Sequence, residues 1–201
     1  NCPIRPDGGL ARRATMLKQV RKRGLNPVLV VDAGGLFAGG PYDEYTQGPA
    51  VDRERTLTTL RAMALMGYDA LGVGDEELAY GAEFLRQAGD VARTTFVSAN
   101  LCGADGQLFL PTHVVRDVAG LRFGIVGATP EEAFLFDESR LPDGLSVLPP
   151  IPAVRAVVDE IRAAVDVVVL LSHLGETASR ELLQQVAGID VLINAHRMSS
   201  E

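Results

Sequence analysis

Val167-Val168-Val169-Leu170-Leu171-Ser172-His173-Leu174-Gly175 is a run of β-branched and leucine side chains that stops at a serine, a histidine and a glycine. An apolar run this short, with no polar alternation, predicts a strand buried on both faces in a parallel sheet. Three other stretches repeat the pattern. Residues 28–31 run into Asp32-Ala33-Gly34-Gly35, residues 70–73 into Gly74-Asp75-Glu76-Glu77, and residues 191–193 into Asn194-Ala195-His196. Ligands of open α/β sheets gather outside the carboxyl ends of the strands. The four exits are therefore where chemistry is expected, and two of the chain's three histidines lie there.

Between these strands the apolar spacing lengthens to three and four. Leu10, Ala14, Leu17 and Val20 predict a helix entered through Gly8-Gly9 and closed by Gly24. A second helix is expected over residues 51–66, with Leu57, Leu60, Ala64 and Leu65 on one face and Gly67 as its stop. Shorter helices are expected over 81–88, from Pro152 to Ala164, and over 177–186. Strands are expected at 68–73, 95–99, 166–171 and 190–194. Residues 113–118 and 121–127 flank Ala119-Gly120, a hairpin signature. Residues 131–150, rich in proline and acid, read as irregular. Helix–strand repeats with one hairpin predict an α/β fold with a mostly parallel, doubly wound sheet.

The 201 residues carry a net charge of −7, which argues against general nucleic-acid binding. The early basic cluster of Arg12, Arg13, Lys18, Arg21, Lys22 and Arg23 reads as the solvated face of the first helix. No apolar stretch reaches the ~18 residues of a membrane span. The chain opens on Asn1-Cys2 without an initiator methionine, as after removal of a leader. Its two cysteines, Cys2 and Cys102, do not have metal-knuckle spacing, and a disulfide between them would need an oxidising compartment.

Six stretches, in order, resemble the 5′-nucleotidase branch of the calcineurin-like metallophosphoesterases: Gly8-Gly9-Leu10-Ala11-Arg12-Arg13-Ala14-Thr15, Val31-Asp32-Ala33-Gly34, Met66-Gly67-Tyr68-Asp69-Ala70-Leu71, Ser98-Ala99-Asn100-Leu101, Leu171-Ser172-His173-Leu174-Gly175 and Gly188-Ile189-Asp190-Val191. The resemblance implies a layered α/β sandwich. It implies one metallophosphoesterase-like domain over residues 1–201, cut before the family's first Asp-x-His strand and after the last metal motif. No C-terminal nucleotide-binding domain is expected. The family clamps a phosphate ester between two metal ions, which polarise it and generate a hydroxide.

Against that pattern the chain departs at several ligands. Gly35 stands where the resemblance implies a bridging aspartate. Asp75 and Glu76 stand where an Asn-His pair is implied, so that Glu76 replaces the catalytic histidine. The final His-x-His is His196-Arg197-Met198, with Met198 in place of the second imidazole. Asp75, His173 and His196 remain as a three-ligand set, suited to one zinc or manganese ion. The expected function is a catalytically degenerate phosphoesterase-like domain that has lost its catalytic metals, with no cofactor, a binding or assembly role and a protein as partner; His173 and His196 then only hydrogen-bond locally at their strand ends, and one divalent ion on the three-ligand set is the other outcome. The alternative is a metal-dependent phosphoesterase working through the reduced site. Cys2 resembles the remnant of a cysteine motif in exported relatives, and the branch implies a periplasmic or extracellular location.

Other residues have plainer expectations. Phe134 and Phe136, flanked by Glu131-Glu132 and Asp137-Glu138, read as aromatics packed into the core, or as a docking loop. His113 reads as a core or surface residue. The adjacent carboxylates Glu76 and Glu77 are candidates for general acid–base work, although neighbours along a turn usually point apart.

Overall fold

The computed structural model describes residues 9–24, 27–40, 43–131, 141 and 144–196. In it the strands divide between two main sheets, where element order alone suggests one doubly wound sheet. The first sheet joins β1 (Val31–Asp32), β2 (Ala70–Gly72) and β3 (Phe96–Val97), all parallel. The second runs in the order β5 (His113–Val118), β6 (Leu121–Ala128), β8 (Val167–Ser172), β9 (Val191–Asn194). Its β5–β6 pair is the expected antiparallel hairpin, and β6, β8 and β9 are parallel. A small antiparallel pair, β4 (Leu101–Gly103) with β7 (Leu145–Val147), is an addition to the expected elements; β7 lies inside the stretch read as irregular.

Side chains alternate across each strand, and the alternation sorts them into layers. Ala70, Val97, Ile125, Val169 and Leu171 face each other between the sheets. Leu71 and Phe96 point the other way, into a core built with α1 (Leu10–Lys22), α2 (Pro49–Met66) and α3 (Gly81–Ala92). Val126, Val168 and Leu170 pack against α4 (Pro150–Ile161) and α5 (Gly175–Gln185). The result is a helix–sheet–sheet–helix sandwich, in which the run 167–171 is buried on both faces as its sequence predicts. The basic side chains of α1 are exposed. One of them, Arg21, donates to the carbonyls of Met66 and Gly67 at the end of α2, which suits a cation at a helix C-terminus.

The sheets touch through backbone at one corner. Ala99 N–H donates to the Gly127 carbonyl at 2.8 Å, and any side chain at Gly127 would collide with the Val97 carbonyl. Beside it, the Asn100 side-chain amide donates to the carbonyls of Thr129 and Leu148 and its oxygen accepts from Thr129 N–H. The Ser98-Ala99-Asn100-Leu101 stretch is thus a junction of the frame.

A second junction holds the exits of β1 and β2 together. Glu77 is fully buried, and its two oxygens accept backbone N–H groups from Gly74 (2.7 Å), Leu36 (2.8 Å), Gly35 (2.9 Å) and Phe37 (3.3 Å). Burial raises the pKa of this carboxyl and the amides oppose that shift. Four donors converging on two oxygens require an acceptor-only group, so the geometry is that of the carboxylate.

Cys2, Met198 and residues 132–138, including Phe134 and Phe136, lie outside the described residues. Cys102 is buried on β4. Among the described residues no helix is long and apolar enough to cross a membrane.

These junctions set the stability of the frame. Gly127→Ala should cost about 3 kcal/mol or more, because backbone cannot yield to the new methyl. Gly89→Ala, inside α3 with its nearest neighbour 3.8 Å from the added carbon, should gain about 0.5–1 kcal/mol. Equal urea midpoints for the two variants would contradict the close approach at Gly127. Glu77→Gln replaces an acceptor oxygen by an NH2 group aimed at backbone donors, and should cost about 3 kcal/mol; an unchanged urea midpoint would show that the four amides do not depend on the carboxylate.

Candidate metal centre

Each side chain at the rim of the sandwich is delivered by the end of a parallel strand. Asp75 follows β2, His173 follows β8 and His196 follows β9. The β9 exit is tied to that of β8 by Ala195 N–H donating to the Ser172 carbonyl at 2.8 Å. One donor atom from each of Asp75, His173 and His196 lies within 4.8 Å of the others. His173 Nε2 is 3.0 Å from Asp75 Oδ1, and His196 Nδ1 is 3.8 Å from Asp75 Oδ2. The site therefore takes its carboxylate from the first sheet and both imidazoles from the second.

His173 is the centre of the cluster. Its Nδ1 is 3.0 Å from the Ala33 carbonyl, which can only accept, so Nδ1 carries the proton and Nε2 faces the carboxylates. Glycines from both β1 and β2 exits wrap the ring. A Cβ on Gly74 would stand 2.6 Å from His173 Nε2, one on Gly34 3.1 Å from Nδ1, and one on Gly35 2.9 Å from Cε1. An aspartate at position 35 would have to displace the ring, and Gly35 itself has φ +81°, a conformation that disfavours other residues.

Glu76 lines the same space from the opposite side. Its Oε2 lies 3.6 Å from His173 Nε2 and 3.5 Å from the Cβ that Gly35 lacks. Burial and the neighbouring charge of Asp75 push its carboxyl up. Burial also works against ionisation of Asp75, but the imidazole of His173 outweighs it and holds the carboxyl well below the usual aspartate range. For His173, burial disfavours the cation, yet the hydrogen bond to Asp75 and the neighbouring carboxylates of Glu76 and Glu77 prevail and push its pKa up to about 10. Two oxygens in this buried cluster, Asp75 Oδ2 and Glu76 Oε2, have no hydrogen-bond partner. A buried carboxylate oxygen without a partner is costly, and both face the imidazoles.

The donor set suits a single divalent cation: one carboxylate, two imidazoles, and an orphan oxygen between them. Position 35 offers no ligand atom, and a Cβ there would stand 2.9 Å from His173 Cε1. Asp32, the carboxylate of the β1 exit, accepts from Gly34 N–H at 3.1 Å and stands 3.8 Å from Arg13. His113 sits apart at the start of β5, with Nδ1 3.0 Å from Thr112 Oγ1.

Glu76 and Glu77 point apart, as neighbours along a turn are expected to. Both oxygens of Glu77 are consumed by backbone amides, so Glu77 has no lone pair free to move a proton. Its place as a clamp is not legible in the sequence, nor is the Ala33 carbonyl that orients His173. The available signal is a carboxylate three residues after Gly74, within a chain that also offers successive N–H groups at Gly34-Gly35.

No family model matches the chain. It is 30% identical to the 5′-nucleotidase of Mus musculus and 27% identical to the 2′,3′-cyclic-nucleotide 2′-phosphodiesterase/3′-nucleotidase of Salmonella typhimurium, in each case over 94% of this chain and 32% of the relative. The crystal structure of a 5′-nucleotidase precursor from Thermus thermophilus superposes with a TM-score of 0.78 and 29% identity, over 94% of this chain and 36% of that one. The sulfate thiohydrolase SoxB of the same species also reaches a TM-score of 0.78, at 23% identity, over 94% of this chain and 34% of that one, a likeness of fold alone. The chain spans about a third or less of the length of the curated relatives it matches. Sequence and fold together support the 5′-nucleotidase-like branch of the calcineurin-like metallophosphoesterases.

Proposed function

We propose that this domain binds one divalent cation through Asp75, His173 and His196, that it has lost phosphoester hydrolysis, and that it serves a binding or assembly role in an exported protein. The observation that carries the reading is the crowding at Gly35. The position implied for a bridging carboxylate has no side chain, and the His173 ring fills the space beside it.

The residues support one cation in specific ways. Nδ1 of His173 keeps its hydrogen bond to the Ala33 carbonyl, the arrangement that fixes the tautomer of metal-ligating imidazoles and leaves Nε2 as the donor. Asp75 Oδ2 gains the partner it lacks. Zinc or manganese fits two nitrogens and a carboxylate oxygen, and as a Lewis acid would polarise an oxygen bound to it. The same residues oppose phosphate chemistry. Glu76 places a carboxylate where a phosphoryl oxygen would need a donor or a cation, and Glu77 is committed to the frame. The exported setting rests on the family resemblance, and the assembly role on the loss of catalytic groups from a retained fold.

Metal analysis of the full-length protein, loaded with zinc or manganese and then desalted, should find one ion per chain. His173→Ala and Asp75→Asn should each reduce that content at least about tenfold. Hydrolysis of p-nitrophenyl phosphate and bis(p-nitrophenyl) phosphate should stay at the buffer rate with either ion. Two tightly held ions together with turnover would overturn the proposal, and turnover with one ion, abolished by His173→Ala, would establish the reduced-site phosphoesterase in its place. A monodisperse monomer in the native setting would count against assembly.

A further inference from the structure

We propose that Glu76 is the fourth ligand of the cation, closing the coordination sphere so that no position is left for water or phosphate. The assignment rests on the one-cation reading above.

Glu76 brings the second of the two orphan oxygens of the buried cluster. Its Oε2 is 3.6 Å from Nε2 of His173, the same nitrogen that Asp75 Oδ1 approaches at 3.0 Å. Two carboxylates thus converge on one imidazole nitrogen, and each keeps one buried oxygen without a partner. Asp75 and His173 are almost wholly buried, and the Glu76 side chain is only 16% exposed. Solvent therefore satisfies none of these atoms in full. A single cation among Asp75, Glu76, His173 and His196 would satisfy both oxygens at once.

Packing directs Glu76 toward this place. A Cβ on Gly40 would stand 2.6 Å from Glu76 Cγ, so the backbone of the β1 exit presses on the side chain from behind. On the other side, Oε2 stands 3.5 Å from where a Cβ of Gly35 would be, beside the His173 ring. The other three donors lie within 4.8 Å of one another without Glu76, so ligation requires its side chain to turn toward them. A carboxylate thus approaches His173 from the β2 exit, while position 35 at the β1 exit supplies none.

Two nitrogens and two carboxylate oxygens in a buried site match a closed four-coordinate zinc centre. Hydrolytic zinc sites instead keep an open position. The function of such a centre is to fix structure or to hold the ion, and inorganic phosphate has no place to bind.

Cobalt(II) reports this directly, because its visible absorption is intense when four-coordinate and weak when water enters. Full-length wild type loaded with cobalt should show the intense bands, unchanged by millimolar inorganic phosphate. Glu76→Ala should bind cobalt at least ~10-fold more weakly, with weaker bands that now shift on adding phosphate. Glu76→Gln, which preserves size and packing, should show the same trend, with circular dichroism confirming an intact fold. If both variants keep wild-type affinity and spectrum, Glu76 is no ligand and the three-residue site stands without it. If wild type responds to phosphate as the variants do, the site is open and the assignment fails. If wild type binds neither cobalt nor zinc, the one-cation reading itself falls.

Discussion

The buried carboxylate of Glu77 is the constraint on which the rim of the sandwich depends. Loops that leave parallel strands carry successive backbone N–H groups with no partner on the strand, and burying them unpaired would be prohibitive. Glu77 accepts four of them, three from the β1 exit and one from the β2 exit. It does so from the turn that follows Asp75 and Glu76, so the same short segment supplies both the clamp and two of the cluster's carboxylates. The clamp fixes Gly34-Gly35 against Gly74, and those glycines form the walls around His173. The imidazole is therefore walled in by a clamp that does not touch it, and oriented by its own bonds to the Ala33 carbonyl and Asp75.

Once His173 is held, the charges follow. A histidine between Asp75 and Glu76, with Glu77 behind, is favoured as a cation despite burial. The imidazole of His173 keeps Asp75 ionised, while burial and the charge of Asp75 raise Glu76. Excess carboxylate charge around one imidazole is the electrostatic signature of a site that attracts cations. On the proposed reading, the same excess sets the site against phosphate, so that the features that favour a cation also oppose hydrolysis.

Much of this is legible in the sequence. The apolar run 167–171 and its three counterparts mark the strands, and the polar cluster after each marks the rim, because parallel strands buried on both faces leave only their ends free for chemistry. The division into two sheets is not legible. Strand order along the chain does not say which strands hydrogen-bond, and the decisive contact, Gly127 against Val97, is backbone on backbone. The β4–β7 pair is hidden because its two strands are three residues each and far apart in sequence. At the site, residue types point to Asp75, His173 and His196, while the division of labour between Glu76 and Glu77 is invisible. Adjacent glutamates look alike in sequence, and only the direction of each side chain separates a clamp from a group facing the histidines.

The site spans the seam between the sheets, and this bears on why a cation would be retained without hydrolysis. Asp75 belongs to the first sheet, His173 and His196 to the second, and the layer between them is made of small and medium side chains such as Ala33, Ala70, Val97 and Val169. Small residues let the sheets approach closely but bury little area each, so this layer contributes less hydrophobic stabilisation than the helix-facing cores with their leucines, methionines and phenylalanines. A cation ligated from both sides would bind only when the sheets are docked, and would stabilise the docked state by about 2.7 kcal/mol at a hundredfold excess over its Kd. On the one-cation reading, the centre has passed from acting on a substrate to joining the two halves of its own fold. The ligands that such a role keeps are those that bridge the seam, and the one position it can spare is Gly35, where a side chain would push His173 out of the bridge.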